Sequence, residues 1–289
     1  MTQPVFRFAP SPNGRLHLGH AYSALLNAAL ASRFHGRLLL RMEDIDLTRC
    51  RPQFEAGIHE DLAWLGLSWE EPVRRQSEHF EEYRAALADL QRRELVYPCF
   101  CSRKEIAAAV ARWEADTGAP WPRDPDGAPL YPGTCRALPA EAVARRIAGE
   151  PHAWRLDTAR ALQGAPPLAY ARFVPDGTED AVPVRPERWG DAVVARKEVP
   201  TSYHLAVVHD DAVEGVTHVV RGRDLEAATD LHVLLQRLLD LPTPRYHHHP
   251  LVRDEADGKL SKSLLSESLA DLRARGVTVE EVRRRLGFR

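Results

Sequence analysis

The apolar residues at the start of the chain change rhythm in an ordered way. Val5-Phe-Arg-Phe-Ala9 is a short apolar run that predicts a buried strand, and Pro10-Ser-Pro-Asn-Gly14 ends it with a dense turn signal. From about Leu18 to Phe34 apolar residues recur at helical spacing without a proline, and Gly36 closes the segment. Arg37-Leu-Leu-Leu-Arg41 predicts a second strand running into the acidic Glu43-Asp-Ile-Asp46, and helical spacing returns near residues 53–66 and 78–94. Strand, helix, strand, helix is the order of a βαβ unit, so an α/β fold with a parallel sheet is expected.

The rhythm breaks between roughly Pro98 and Pro186, where prolines and glycines accumulate, as in Thr117-Gly-Ala-Pro-Trp-Pro122. This stretch is expected to be an insertion of irregular loops. Regular patterning resumes near Trp189 with Asp191-Ala-Val-Val194, Tyr203-His-Leu-Ala-Val-Val208 and Val216-Thr-His-Val-Val220. A helix over about Leu225 to Leu239 follows, and two short helices are expected near 266–275 and 278–286. The division suggested is 1–97 and 189–241 for the two halves of a sheet domain, 98–188 for the insertion, and 242–289 for a terminal loop and helical region.

Composition adds a class. Hydrophobic residues make up 44% and charged residues 28%, the balance of a soluble globular protein. No apolar run approaches the roughly 18 residues of a membrane helix, and the N-terminus lacks the pattern of a secretory signal. A cytoplasmic location without membrane contact is expected, and nothing calls for an oligomer, so a monomer is expected too. The net charge of −2 does not announce a nucleic-acid binder, so RNA would need a local basic patch. Of 39 basic residues only Lys104, Lys197, Lys259 and Lys262 are lysines, and two of them flank Leu-Ser in Lys259-Leu-Ser-Lys262. That pairing suggests chemistry that needs a compact ammonium rather than a guanidinium.

His17-Leu-Gly-His20 falls between a strand, a turn and a helix, and histidines at i and i+3 share a helix face. A helix N-terminus offers free N–H groups to a polyphosphate, and Gly19 would let a nucleotide approach the backbone. Alone, the motif is equally a helix start with two surface histidines. Together with the lysine pair it points to nucleotidyl transfer, because imidazole and ammonium donors stabilise charge developing on the α-phosphate and departing pyrophosphate. Three of the four cysteines, Cys99, Cys101 and Cys135, cluster in the insertion; in a reducing compartment such clusters are more often metal ligands than disulfides. Three thiolates need one further ligand to complete a tetrahedral zinc shell, and His152 is a donor of ordinary type for it. Cys50 stands alone and is expected simply to pack.

Arg7-Phe-Ala-Pro-Ser-Pro-Asn-Gly-Arg-Leu-His-Leu-Gly-His20 resembles the opening signature of the glutamyl- and glutaminyl-tRNA synthetases, with Leu18 in place of the commoner isoleucine. Lys259-Leu-Ser-Lys-Ser263 resembles their second signature. Arg41-Met-Glu-Asp-Ile-Asp46, Ser202-Tyr-His-Leu-Ala-Val-Val208 and Val219-Val-Arg-Gly-Arg-Asp-Leu225 are similar to further blocks of that family. The resemblance implies a class I, Rossmann-type catalytic domain that makes glutamyl-adenylate. It implies a glutamate pocket of Arg7, Phe8, Ala9, Pro10, Ser11, Glu43, Tyr203 and Arg221. It also implies an ATP site of His17, Gly19, His20, Lys259, Ser261 and Lys262. His17, His20 and Lys262 would be the catalytic groups, with Mg²⁺ arriving with ATP, and His248 is placed near the nucleotide.

From Ser263 the chain runs only to Arg289, which is expected to leave no room for an anticodon-binding domain. A paralogous group, the glutamyl-queuosine tRNA(Asp) synthetases, resembles the catalytic half alone. It implies transfer of glutamate to the queuosine base of tRNA(Asp), and a structural zinc held by Cys99, Cys101, Cys135 and Tyr131. The rivals are a minimal glutamyl-tRNA synthetase charging the 3′ end of tRNA(Glu), a small-molecule ligase with a similar first signature, and a non-catalytic RNA-binding paralogue. Glutamate-dependent exchange of pyrophosphate into ATP separates the first of these from the other two.

Overall fold

The computed structural model describes residues 3–252 and 267–288. The chain opens with β1 (Val5–Phe8), α1 (Leu18–Arg33), β2 (Arg37–Met42), α2 (Pro52–Trp64), β3 (Glu70–Arg75) and α3 (Phe80–Arg92). All four residues of β1 are buried, as expected of a central parallel strand covered on both faces. Helix α1 buries Ala21, Ala24 and Ala31 beside Leu18, Leu25 and Leu30, and these small residues let it lie close to the sheet. Asn27 is buried among them and donates from Nδ2 to the Val220 carbonyl at 3.1 Å, which pins the helix across the sheet.

The middle of the chain contains β4 (Val96–Cys99), α4 (Arg103–Thr117), α5 (Ala140–Ile147), β5 (Ala153–Leu156), α6 (Thr158–Leu162), β6 (Ala169–Phe173) and β7 (Glu179–Pro183). Then come β8 (Val193–Ala195), α7 (Tyr203–Val213), β9 (His218–Gly222), α8 (Ala228–Leu238) and β10 (Arg245–His249), followed by α9 (Leu269–Ala274) and α10 (Val279–Arg285). Seven strands form one sheet in the order β3-β2-β1-β9-β10-β6-β7, parallel throughout except for the β6–β7 hairpin. The chain order reverses between β1 and β9, which makes that junction the switch point of a doubly wound α/β sheet.

Two expectations change here. The segment 98–188 is not simply irregular. Helix α4 is bounded by a Ser102–Glu105 capping box and by Gly118 in the left-handed conformation at φ 68°. Moreover, β6 and β7 lie inside that segment yet join the main sheet through the parallel β10–β6 pair, whereas β8, outside it, pairs with β5 in a separate sheet ordered β4-β5-β8. Sheet membership follows hydrogen bonding across the fold, not position along the chain. The terminal helices are packed rather than pendant: Leu269, Leu272, Val282 and Leu286 share one core with Leu16, Ile58 and Leu62, and Leu269 N donates to the Leu16 carbonyl at 2.8 Å.

Candidate active site

A cavity of about 470 Å³ opens at the C-terminal ends of β1 and β9, where ligands bind in sheets of this topology. Arg7 through Ser11, Glu43, Tyr203 and Arg221 all line it, and so do His17, Gly19 and His20. Sequence positions more than 200 apart are thus gathered at one crest. Lys259, Ser261 and Lys262 lie outside the described residues. Ser23, Asp224, His249 and Leu251 also line the cavity without having been singled out. His249 does so in place of His248. Alternation along β10 turns His248 away to bond Arg221 and Thr229 from behind, so the placement of His248 beside the nucleotide is corrected.

The two histidines build the start of α1 themselves. His17 is the N-cap, with extended backbone, and its Nδ1 accepts from Gly19 N at 3.1 Å, while His17 N donates to His20 Nδ1 at 3.2 Å. This is a capping box made of imidazoles, where serine and glutamate are usual. Gly19 has a structural reason beyond nucleotide access: a Cβ there would come within 3.0 Å of the His17 ring. Because each Nδ1 accepts, the proton of each neutral ring sits on Nε2. Burial lowers the pKa of His17, and burial followed by the nearby His17 takes His20 down to about 4. Near pH 7 both rings are therefore neutral, each with an Nε2–H donor at the mouth of a helix N-terminus.

The charged groups divide into two kinds. Arg7, 5% exposed, bonds Asp211 through Nε at 3.0 Å. Arg41, with no exposed surface, lies 2.8 Å from Asp211, 2.7 Å from Glu214 and 3.2 Å from Glu43. Burial pulls Asp211 upward, but Arg7 and Arg41 outweigh it and hold its carboxyl below the usual range. Burial raises Glu43 against the opposing pull of Arg41 and Arg7. Arg221 is equally buried at 5% exposure, yet its partners are neutral. Nη2 donates to Thr229 Oγ1 at 2.8 Å and Nη1 to His232 Nδ1 at 3.1 Å, with longer bonds to Tyr203 OH and His248 Nε2 at 3.4 Å. Burial and then Arg221 lower the pKa of His248 to about 3 and lower that of His232, so neither ring competes as a cation. Among the described residues no carboxylate pairs with Arg221. The cavity thus presents both the Glu43 carboxyl and, at Arg221, a guanidinium without a carboxylate partner among the described residues, which suits a ligand carrying both an ammonium and a carboxylate.

In the insertion, the ligand atoms of Cys99, Cys101 and Cys135 all lie within 4.8 Å of one another. The Tyr131 hydroxyl stands 3.4 Å from Cys101 Sγ and accepts from Cys135 N at 2.9 Å. His152 is not in this group; its Nδ1 faces the Glu150 carbonyl at 3.0 Å. The three thiols form a donor set that could hold a metal ion, and the Tyr131 phenol stands beside them. Cys50 is half-buried, 3.7 Å from Ser11 Oγ.

Residues 4–287 match the tRNA synthetases class I (E and Q), catalytic domain. The chain belongs to that family. A relative named glutamyl-Q tRNA(Asp) synthetase, from Rhodobacter capsulatus, is 45% identical over 98% of this chain and 100% of its own length. Another of that name, from Symbiobacterium thermophilum, is 41% identical over 96% of this chain and 83% of its own. The crystal structure of a glutamate tRNA ligase from Elizabethkingia meningosepticum, in complex with its amino acid, superposes with a TM-score of 0.73 at 28% identity, over 91% of this chain. The chain spans 52% of the length of that ligase.

As a class I synthetase catalytic domain the chain is a ligase of the aminoacyl-tRNA synthetase type, whose family works on ATP, an amino acid and tRNA. Within that frame Arg41, Asp211 and Glu214 are the residues a motif-based reading leaves out. Arg41 lies in a quoted block, and the signal for Asp211 was an acidic pair, Asp210-Asp211, buried on the same helix as Leu205, Ala206, Val207 and Val208. No helix among the described residues is long and apolar enough to cross a membrane.

Proposed function

We propose that this protein activates L-glutamate with ATP, in the cytoplasm and as a monomer, and transfers the glutamyl group to the queuosine base at the wobble position of tRNA(Asp). The observation that carries the glutamate step is a cavity lined both by Glu43 and by Arg221, which is free of any carboxylate among the described residues. Glu43 takes the substrate ammonium, while Arg221 and the unengaged Nη groups of Arg7 take carboxylate. Glutamine would leave a buried guanidinium uncompensated, and sites built to pair a polar group reject ligands that lack it. The choice of acceptor is supported by the name shared by relatives that match nearly the full chain.

The α-carboxylate of glutamate attacks the α-phosphate of ATP, forming glutamyl-adenylate and releasing pyrophosphate. His17 and His20 give Nε2–H bonds to phosphate oxygens as charge builds, and Gly19 N remains committed to His17 Nδ1. Lys259, Ser261 and Lys262 join the phosphates in this reading, and Mg²⁺ enters with ATP. A queuosine hydroxyl then attacks the activated carbonyl, an ester forms and AMP leaves. Zinc on Cys99, Cys101, Cys135 and Tyr131 serves structure; with all four positions filled by protein it offers no open site.

Transfer of labelled glutamate to tRNA(Asp), with and without queuosine and with tRNA(Glu) as control, tests the reading. Label on queuosine-containing tRNA(Asp) alone supports it, whereas label on tRNA(Glu) makes the protein a conventional glutamyl-tRNA synthetase. Replacing Lys262 by alanine is expected to slow adenylate formation at least about tenfold, and an undiminished rate removes it from the site.

A further inference from the structure

A second cavity, of about 330 Å³, lies between the insertion and the start of α7. Tyr203 lines both it and the cavity already described, so the two share a wall. His204 and the buried Trp189 form one wall, Arg155 and Arg196 provide guanidinium groups, and Asp124, Asp126 and Asp191 provide carboxylates, of which Asp191 is paired with Arg136. The volume falls within the range of about 300–1,000 Å³ typical of small-ligand sites.

The donor in this cavity is fixed by a chain of bonds from the first. Arg221 can only donate, so His232 Nδ1, 3.1 Å from it, accepts and His232 carries its proton on Nε2. That Nε2 is 3.2 Å from His204 Nδ1 and donates to it, which puts the His204 proton on its own Nε2. Among the described residues no group accepts from His204 Nε2–H. Burial lowers the pKa of His204 to about 4, and burial lowers that of His232 too, so the neutral chain holds this direction at neutral pH. A hydrogen-bond path thus runs from the guanidinium of the first cavity to a directed N–H in the second.

Charge gives the ligand class. Among the described residues Asp126 forms no ion pair; its own backbone N–H is bound by Asp124 Oδ1 at 3.0 Å, which shapes the turn. Arg155 is spread over the Tyr131 ring at 3.9 Å, so a planar ligand meets a flat cationic and aromatic wall. Flipped-out bases are held in this way, by stacking on aromatic and guanidinium planes with hydrogen bonds to their edges. The acceptor of the reaction proposed above is a 7-deazaguanine whose side arm carries a secondary ammonium and a cyclopentenediol.

We propose that the second cavity seats the acceptor base, stacked beside Arg155, with its ring edge accepting from His204 Nε2–H and its side-arm ammonium beside Asp126. The diol then reaches past Tyr203 to the glutamyl carbonyl in the first cavity. This assignment rests on the proposed function, and the test separates the two.

The direct test is calorimetric binding of free queuine, and of 7-deazaguanine lacking the side arm, to full-length wild-type protein and to Asp126→Asn. Queuine binding is expected to weaken about five-fold in Asp126→Asn, the upper range for an exposed ion pair, with 7-deazaguanine binding the same in both proteins. Transfer to queuosine-containing tRNA(Asp) is expected to show the same rise in KM for tRNA, with glutamate-dependent pyrophosphate exchange at the wild-type rate. Asp126→Glu is expected to restore both. Equal queuine binding by wild type and Asp126→Asn, or no binding to either, overturns the cavity assignment. If wild-type protein exchanges pyrophosphate yet transfers to no queuosine-containing tRNA(Asp), the proposed function fails, and queuine binding alone then decides for or against the cavity.

Discussion

Around the cavity at the sheet's crest, positions are held by buried charges bonded to one another; around the cysteine cluster, three thiols and the Tyr131 phenol meet within a small apolar cluster that includes Phe100, Ile106 and Leu138. Arg41 lies within ion-pair distance of four carboxylates at no exposed surface, and Asp211 is shared between Arg7 and Arg41. In the insertion, α4 buries only Val110 and α5 buries no residue. The first region is ordered by its own residues before any ligand arrives. In the second, the zinc proposed above would tie together thiols that gain little from one another without an ion.

Perturbing each region should therefore fail differently. The largest effect is expected from Arg41→Ala, which removes the cation that Glu43, Glu214 and Asp211 share and leaves Asp211 to Arg7 and Asp210 to Arg74. Breaking a buried charge set by removing one partner costs about 3–5 kcal/mol, read as a lowered midpoint in urea unfolding. An unfolding midpoint within error of wild type would show that the crest does not depend on this network.

Next comes Arg221→Ala. It removes a donor rather than a structural cation, so folding should persist while kcat/KM for glutamate in pyrophosphate exchange falls about 10²- to 10³-fold. A change confined to the KM for ATP would reassign Arg221. The insertion should show a third pattern. Purified protein is expected to carry about one zinc per chain, and stripping it with a chelator, or replacing Cys135 with serine, should hasten proteolytic cleavage within 103–147. The midpoint of the main unfolding transition should move little. Loss of the metal without faster cleavage would contradict a structural role for it.

The smallest effect concerns pH. Burial raises the Glu43 pKa, so its carboxylate gains a proton at a higher pH than an ordinary glutamate, which titrates at about 4.3. Protonation removes the partner of the substrate ammonium. The KM for glutamate should therefore rise as pH falls, beginning above that ordinary range, while the KM for ATP stays flat because His20 remains neutral down to about 4. If the two KM values rose together, a shared group would have to replace Glu43 in this account.

The strands and helices with one clear period were legible in sequence. β1, β2 and α1 fall where short apolar runs bounded by turn signals and helical spacing put them, since a central strand buries both faces and the helix one. β3 was not legible. Glu70-Glu-Pro-Val-Arg-Arg75 has one buried residue, Val73, and as an edge strand it is specified by its neighbour β2 more than by its own pattern. Helix α4 was overlooked although Ser102, Glu105 and Gly118 mark both its ends, because the proline-rich loops after it dominate the composition of that stretch. The cysteine spacing announced a cluster, but the choice between Tyr131 and His152 as its neighbour needed the fold.

The sequence alone determined the local periods, the two-histidine start of α1 and the donor types available for metal and phosphate, because these depend on residues a few positions apart. Tertiary structure alone decided which guanidinium is already compensated. Arg7 meets Asp211 across 204 positions, while Arg221 meets His232, Thr229 and His248. Nothing in the local pattern distinguishes these two arginines. The difference comes from which side chains the packed sheet and helices bring within hydrogen-bond reach, in an interior where one missing counter-charge outweighs most other contacts.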